Sequence, residues 1–356
     1  MHRSLVSMLA LALIVGCGDG AKTADSASPA PSTTSGADLT GAGATFPYPL
    51  YSKWFNEYAV KTGVKINYQS IGSGGGIRQL SERTVDFGAT DAPMSNAELA
   101  KAKGGAILHF PTVLGAVVII YNLPELTQPL TLNGELIAAI FQGQVTRWND
   151  PRIAAQNSGV KLPATDILVV HRSDGSGTSY VFTDYLAAVS RAWAVKPGKG
   201  KEVQWPVGLG AKGNEGVAGQ VKQTPGAIGY TELAYATQNK LATASVTNAA
   251  GESVAPTIAS VTAAAAGAAS NLPATTDYRV SIVNAPGKGV YPISSFTWII
   301  VDEKQSDGAK GKQLVDFLRW ALTDGQSMAA ALDYAPLPDA MREKLTTRLG
   351  TIQVPQ

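Results

Sequence analysis

From residue 38 onward, short apolar runs rich in β-branched residues alternate with stretches of helical pattern. That alternation specifies an α/β protein, because each strand is delivered to a shared sheet by a helix packed on its face. Residues 64–69, 85–89, 167–170 and 297–301 read as strands. Residues 113–121 form an unbroken apolar run, as a strand covered on both faces requires. Helical stretches cover residues 48–61, 77–83, 180–190 and 311–322. Ser95-Asn96-Ala97-Glu98 matches a capping box and predicts a helix running to about Lys103. Residues 259–270 are Ala-rich and poorly patterned, and read as a surface helix or insertion. At 356 residues the chain is long enough for two domains.

Three of the strand-to-helix junctions share one composition. They are Gly41-Ala42-Gly43-Ala44-Thr45-Phe46-Pro47, Gly72-Ser73-Gly74-Gly75-Gly76, and Arg172-Ser173-Asp174-Gly175-Ser176-Gly177-Thr178-Ser179. Glycine lets backbone approach a ligand, and the N–H groups at a helix start point outward with partial positive charge. Ser and Thr hydroxyls add donors. Each loop alone is an ordinary glycine turn; three together could surround a tetrahedral oxyanion. Arg172 could fork onto such an anion, with Asp174 two residues away to orient it. The plain alternative for that pair is a surface ion pair of little consequence. Asp91 follows the strand at 85–89, and alone reads as a turn residue ahead of Pro93.

Composition removes several competing chemistries. One Cys, at position 17, excludes an intramolecular disulfide framework and any Cys-based zinc cluster. Three His, one of them His2, leave little for a His-rich metal site. The formal charge of +2, with no Lys/Arg stripe, gives no reason to expect a nucleic-acid partner. Gly208-Leu209-Gly210-Ala211-Lys212-Gly213 fits the dinucleotide spacing, with Glu232 downstream. Pro206 interrupts the approach and no long strand leads in, so this stretch reads as a glycine turn.

The N-terminus has Arg3 before an apolar stretch, residues 5–15, of signal-peptide length and too short to span a bilayer. Leu13-Ile14-Val15-Gly16-Cys17 resembles the bacterial lipobox, which implies removal of residues 1–16 and lipid on Cys17. Residues 18–37 are small, polar and Pro-containing, which reads as a flexible tether.

These loops, with Val85-Asp86-Phe87-Gly88-Ala89-Thr90-Asp91-Ala92-Pro93, Pro225-Gly226-Ala227-Ile228-Gly229-Tyr230 and Leu332-Asp333-Tyr334-Ala335-Pro336-Leu337-Pro338, carry a family resemblance. The chain resembles the phosphate-binding proteins of bacterial phosphate-specific ABC transporters. The resemblance implies an α/β, two-lobed periplasmic-binding-protein fold (type II) with phosphate in the cleft. One lobe would hold residues 38–112 plus 290–356, the other 113–289. It implies phosphate ligands at Thr45, Phe46 and Gly177 (the last two through backbone), Ser73, Asp91, Arg172, Ser176 and Thr178, with Asp174 orienting Arg172. It further implies inorganic phosphate as ligand and no cofactor or metal. The partners implied are permease subunits with a separate ATPase. The protein would be a monomer, exported to the periplasm or cell surface and lipid-anchored. Two positions depart from the family pattern: Gly74, where relatives often have Ser, and His171, where many have Arg, which could alter cleft charge.

The rival reading is a secreted phosphoesterase, which needs a metal cluster or an activated nucleophile. Ser176, His171 and Asp174 lie in one short loop, whereas triad members come from separate segments. No Gly-x-Ser-x-Gly elbow surrounds Ser73 or Ser176. The expectation is a binding protein, with arsenate harder to exclude than sulfate because it too carries a proton near neutral pH.

Overall fold

The computed structural model describes residues 38–271 and 276–356, and the signal peptide, lipidation at Cys17 and tether expected from the sequence lie outside them. β1 (Leu39–Gly43), α1 (Tyr48–Thr62), β2 (Ile66–Ser70), α2 (Ser73–Ser81) and β3 (Phe87–Thr90) form a βαβαβ unit with β1 central and parallel to both neighbours. The one-turn α3 (Asn96–Leu99) precedes the 15-residue β4 (Ile107–Tyr121). Next come β5 (Thr131–Leu132), α4 (Gly134–Phe141), α5 (Pro151–Gln156), β6 (Leu168–Arg172), α6 (Gly177–Val189) and α7 (Arg191–Val195). β7 (Leu209–Ala211), α8 (Gly213–Gln223), β8 (Ala227–Glu232), α9 (Leu233–Asn239), β9 (Ala242–Thr243), β10 (Ser245–Thr247) and β11 (Ser253–Val254) follow. The chain closes with α10 (Ile258–Asn271), β12 (Ser294–Asp302), α11 (Gly308–Leu322) and α12 (Asp339–Arg348).

The main sheet runs β2-β1-β3-β12-β4-β8-β6-β7, with β9 also on β4. β4 joins its two halves. Ile107 to Ala116 pair antiparallel with β12, and Val117 to Tyr121 pair antiparallel with β8. One strand thus passes from one half of the sheet to the other, and β12 pairs back on the first half beside β3. β4 is buried almost throughout, so it shows no in/out alternation. Truncating one of its core residues, such as Ile119, to Ala would cost about 2–5 kcal/mol.

Three sequence expectations are corrected and a fourth, the Ala-rich stretch, is met by a helix. The capping box at Ser95 forms, but its helix stops at Leu99, because the Lys103 N–H bonds Ser81 O instead of continuing the helix. The Ala-rich stretch is a surface helix: Val261, Ala264 and Ala265 are buried, an i, i+3, i+4 face against the core, while Thr262 is exposed. β4 begins at Ile107, six residues before the uninterrupted apolar run, because pairing with β12 outweighs the polar His109 and the Pro111 there. The Gly208–Gly213 stretch contains a real strand: β7 is a three-residue edge strand parallel to β6 that feeds α8. Three residues are too few to carry a periodicity.

Candidate anion-binding site

Four helix starts meet between the lobes. α1 follows β1, α2 follows β2, α6 follows β6 and α8 follows β7. Glycine makes the approach possible. A Cβ at Gly177 would lie 2.5 Å from Asp91 Oδ2 and crowd Ser73 Oγ, so the first turn of α6 sits directly on the opposite lobe. Beside it, the Gly74 N–H donates to Gly175 O at 2.8 Å.

Arg172, at the end of β6, has a side chain 1% exposed and forks onto Asp174 through Nε (2.7 Å) and Nη2 (2.5 Å). Burial works to raise the Asp174 carboxyl, but Arg172 and the Gly213 N–H outweigh it and hold it below the usual range. Arg172 Nη1 turns toward Thr178 Oγ1 (3.4 Å) and Asn214 Oδ1 (3.3 Å). Asn214 is the junction of this cluster: its side-chain NH₂ donates to Thr178 Oγ1, and its backbone N–H donates to Thr45 Oγ1 across the cleft. Ser176 caps α6, accepting the Ser179 N–H at 2.9 Å, while the N–H groups of Gly177 and Thr178 stand in the first turn, where a helix offers no acceptor.

The Thr45–Phe46 loop is oriented by three tyrosines, Tyr235 and Tyr334 buried and Tyr68 partly so. Tyr68 donates to Ala44 O (2.8 Å), Tyr235 to Thr45 O (2.6 Å) and Tyr334 to Phe46 O (2.6 Å). In a trans peptide the N–H points opposite to the preceding carbonyl. Fixing the carbonyls of Ala44 and Thr45 on these tyrosines therefore also fixes the N–H groups of Thr45 and Phe46, each pointing away from the carbonyl before it.

Asp91 is 1% exposed. Its Oδ1 accepts from Thr297 Oγ1 (2.7 Å), its Oδ2 from Ser73 Oγ (3.3 Å). Burial raises its carboxyl to about 7 against the pull of Thr297, Arg172 and Ser73. The site thus combines a buried Arg, a carboxylate bound to it, several hydroxyl and backbone donors, and a second carboxyl that is a proton acceptor in its ionised form, above about pH 7. That set suits an oxyanion, in particular one carrying its own proton.

The sequence-expected ligands Thr45, Phe46, Ser73, Asp91, Arg172, Ser176, Gly177 and Thr178, with Asp174 and Gly74, all belong to this cluster or its helix starts, while Cys17 lies outside the described residues. His171 does not belong to the cluster: it points away on the alternate face of β6, stacked on Trp205 at 4.8 Å between ring centres. It therefore adds no charge to the cleft. Sequence reasoning missed Asn214, Thr297 and the three tyrosines.

Residues 28–324 match the PBP superfamily domain. The phosphate-binding protein PstS of Xylella fastidiosa is 46% identical over 311 residues, covering 87% of this chain and 84% of that protein. The chain belongs to the PstS family. PstS of Pasteurella multocida is 45% identical over 320 residues, 90% of this chain and 92% of that protein. Among solved structures, a high-affinity periplasmic phosphate-binding protein with phosphate bound superposes with a TM-score of 0.68 at 21% identity, covering 90% of this chain and all of that one. A phosphate-binding protein from Stenotrophomonas maltophilia gives 0.69 at 22% identity, covering 87% and 93%. Those likenesses confirm the two-lobed periplasmic-binding fold. The PstS family membership accounts for the loops recognised in the sequence.

Proposed function

We propose that this chain captures inorganic phosphate outside the cytoplasmic membrane and delivers it to an ABC permease driven by a separate ATPase. The observation that carries this reading is the buried Asp91 facing a cluster of donors anchored on Arg172. Phosphate near neutral pH still carries a proton that a carboxylate can accept, whereas sulfate has none and would meet Asp91 as an unpaired repulsive charge. Thr45, Ser73, Arg172, Ser176 and Thr178, with the N–H groups of Phe46 and Gly177, supply the donors. Asp174 fixes the guanidinium.

Binding would draw the lobes together, residues 38–112 plus 290–356 against 113–289, and the closed form would dock on the permease. The partner change along β4 supports a crossing in that region. Lipid on Cys17 would anchor a monomer at the periplasmic or outer surface; among the described residues no helix is long and apolar enough to cross a membrane. Phosphate would leave chemically unchanged, because the only imidazole near Ser176 in sequence, His171, is engaged with Trp205 and Arg172 O. Titration calorimetry of the phosphate-stripped protein with phosphate, sulfate and arsenate tests the reading. Phosphate should bind tightly and sulfate should not; equal heats for the two would sink it.

A further inference from the structure

Beyond Asp91 the cleft widens into a cavity of about 710 Å³, whose walls include Glu98, Lys199, Lys201, Arg279 and Trp298 as well as Asp91 itself. Its rim is drawn together by polar contacts between the lobes. Glu98 lies on α3, in the lobe of β3, and Lys201 lies between α7 and β7, in the lobe of β6. Lys201 Nζ meets Glu98 Oε1 at 2.7 Å, with the two side chains only 20% and 28% exposed.

Both ends of this pair are braced. The other oxygen of Glu98 accepts from the backbone N–H (2.9 Å) and hydroxyl (3.0 Å) of Ser95, and the Glu98 N–H donates back to Ser95 Oγ (3.2 Å) to complete the capping box. The backbone carbonyl of Lys201 accepts the N–H of Ser176 at 3.0 Å, so Lys201 is tied to the helix start that faces the anion. Alongside, Arg279 donates to Met94 O (2.7 Å) and Asn96 Oδ1 (3.0 Å), while Ser281 Oγ donates to Asp184 Oδ2 (2.8 Å), which Lys199 also holds. The remaining cations on the rim, Lys199 and Arg279, are paired with Asp184 and Asp277, which leaves Lys201–Glu98 as the ion pair of this rim that spans the two lobes directly.

We propose that the Glu98–Lys201 pair is the clasp of the closed form: it sets how long phosphate is retained, without touching the ligand. The proposal rests on the reading of the chain as a phosphate-binding protein. A pair that forms only after the lobes meet acts on release and leaves the encounter with the open cleft unchanged.

The test is a rapid chase of radiolabelled phosphate from the full-length protein, with association measured in parallel. Glu98→Gln keeps an acceptor for the Ser95 cap and removes the charge; Lys201→Met keeps the aliphatic stem. Each should speed release by about three- to tenfold with association within twofold of wild type, and the double variant should release no faster than the faster single one. Release within twofold of wild type in both variants, or effects that multiply in the double variant, would overturn the clasp. A wild type that retains no phosphate would overturn the functional reading instead.

Discussion

Replacing Asp91 by Asn removes the charge that the cleft has buried while conserving shape. Asn can still accept from Thr297 with Oδ1, and its NH₂, standing where Oδ2 was, can donate to Ser73 once that hydroxyl turns. Phosphate loses the charged acceptor for its proton, a hydrogen bond worth about 1.5–3 kcal/mol. Sulfate is relieved of a repulsive neighbour. Together these should narrow the phosphate-to-sulfate affinity ratio by at least about tenfold at about pH 8. Stability of the phosphate-free protein supplies a second readout with a defined sign. The Asp91 carboxyl moves from 3.8 to about 7 on burial. The folded chain therefore holds that proton more tightly than the unfolded one. The stability this contributes is complete below the unfolded value and is lost as pH rises through the folded value. Asn cannot titrate, so the variant should gain on wild type across that window, by up to about 4 kcal/mol at its upper end. Calorimetric titration with both anions and thermal melts at several pH values provide the assay. An unchanged phosphate-to-sulfate ratio in a folded variant would refute the role given to Asp91.

The other predictions concern the cleft and one buried acid, Glu232, bonded to Tyr334. Gly177→Ala should lower phosphate affinity at least tenfold and abolish the thermal shift phosphate produces, because its Cβ would stand 2.5 Å from Asp91 Oδ2; a wild-type titration would show that α6 and Asp91 separate when ligand binds. Arg172→Ala should cost at least about 2 kcal/mol of binding, and Arg172→Lys should recover little of it, since one ammonium cannot both fork onto Asp174 and face Thr178; a loss of twofold or less in the Ala variant would contradict the assignment. Glu232→Gln should be neutral in melts below about pH 4 and stabilising near pH 8, because burial pushes the Glu232 carboxyl well up and its Oε1 has no hydrogen-bond partner among the described residues. Equal differences from wild type at both pH values would show that Glu232 is not titrating across that interval.

How much of this was legible in the sequence depended on whether a feature was local. The junctions at Thr45, Ser73 and Ser176 each sit within one strand–loop–helix segment, so glycines and hydroxyls in a row betrayed them. Thr297 reaches Asp91 through register: β12 pairs Trp298 with Thr90, which sets Thr297 beside the residue that follows β3. No spacing along the chain encodes that neighbour. The tyrosines that orient the Thr45–Phe46 loop come from β2, α9 and the segment after α11, and only the assembled core brings them to consecutive carbonyls. Asn214 did leave a signal, because the stretch from Gly208 to Gly213 is a fourth glycine-rich entry to a helix. Its strand was too short to register, and its match to a dinucleotide pattern drew attention to the wrong ligand.

The charges at the site explain why such a weakly charged chain can be selective for an anion. Arg172 is the one cation in the cluster, and Asp174 already occupies its Nε edge. Asp91 adds a second acid within reach of Arg172's field. With both acids ionised, the cluster carries more negative charge than positive, so net charge cannot be what attracts an oxyanion. Attraction has to come from the Nη1 side of Arg172, from hydroxyls and from N–H groups at the starts of α1, α2, α6 and α8, each fixed in direction by the fold. Dipoles of that kind do not distinguish phosphate from sulfate, because the two present similar oxygens. The distinction falls to the one group that must accept a proton, Asp91, which acts that way in its ionised form and is held facing the site by Thr297 and Ser73. Affinity and selectivity therefore come from different atoms of the same cleft, and substitutions should separate them.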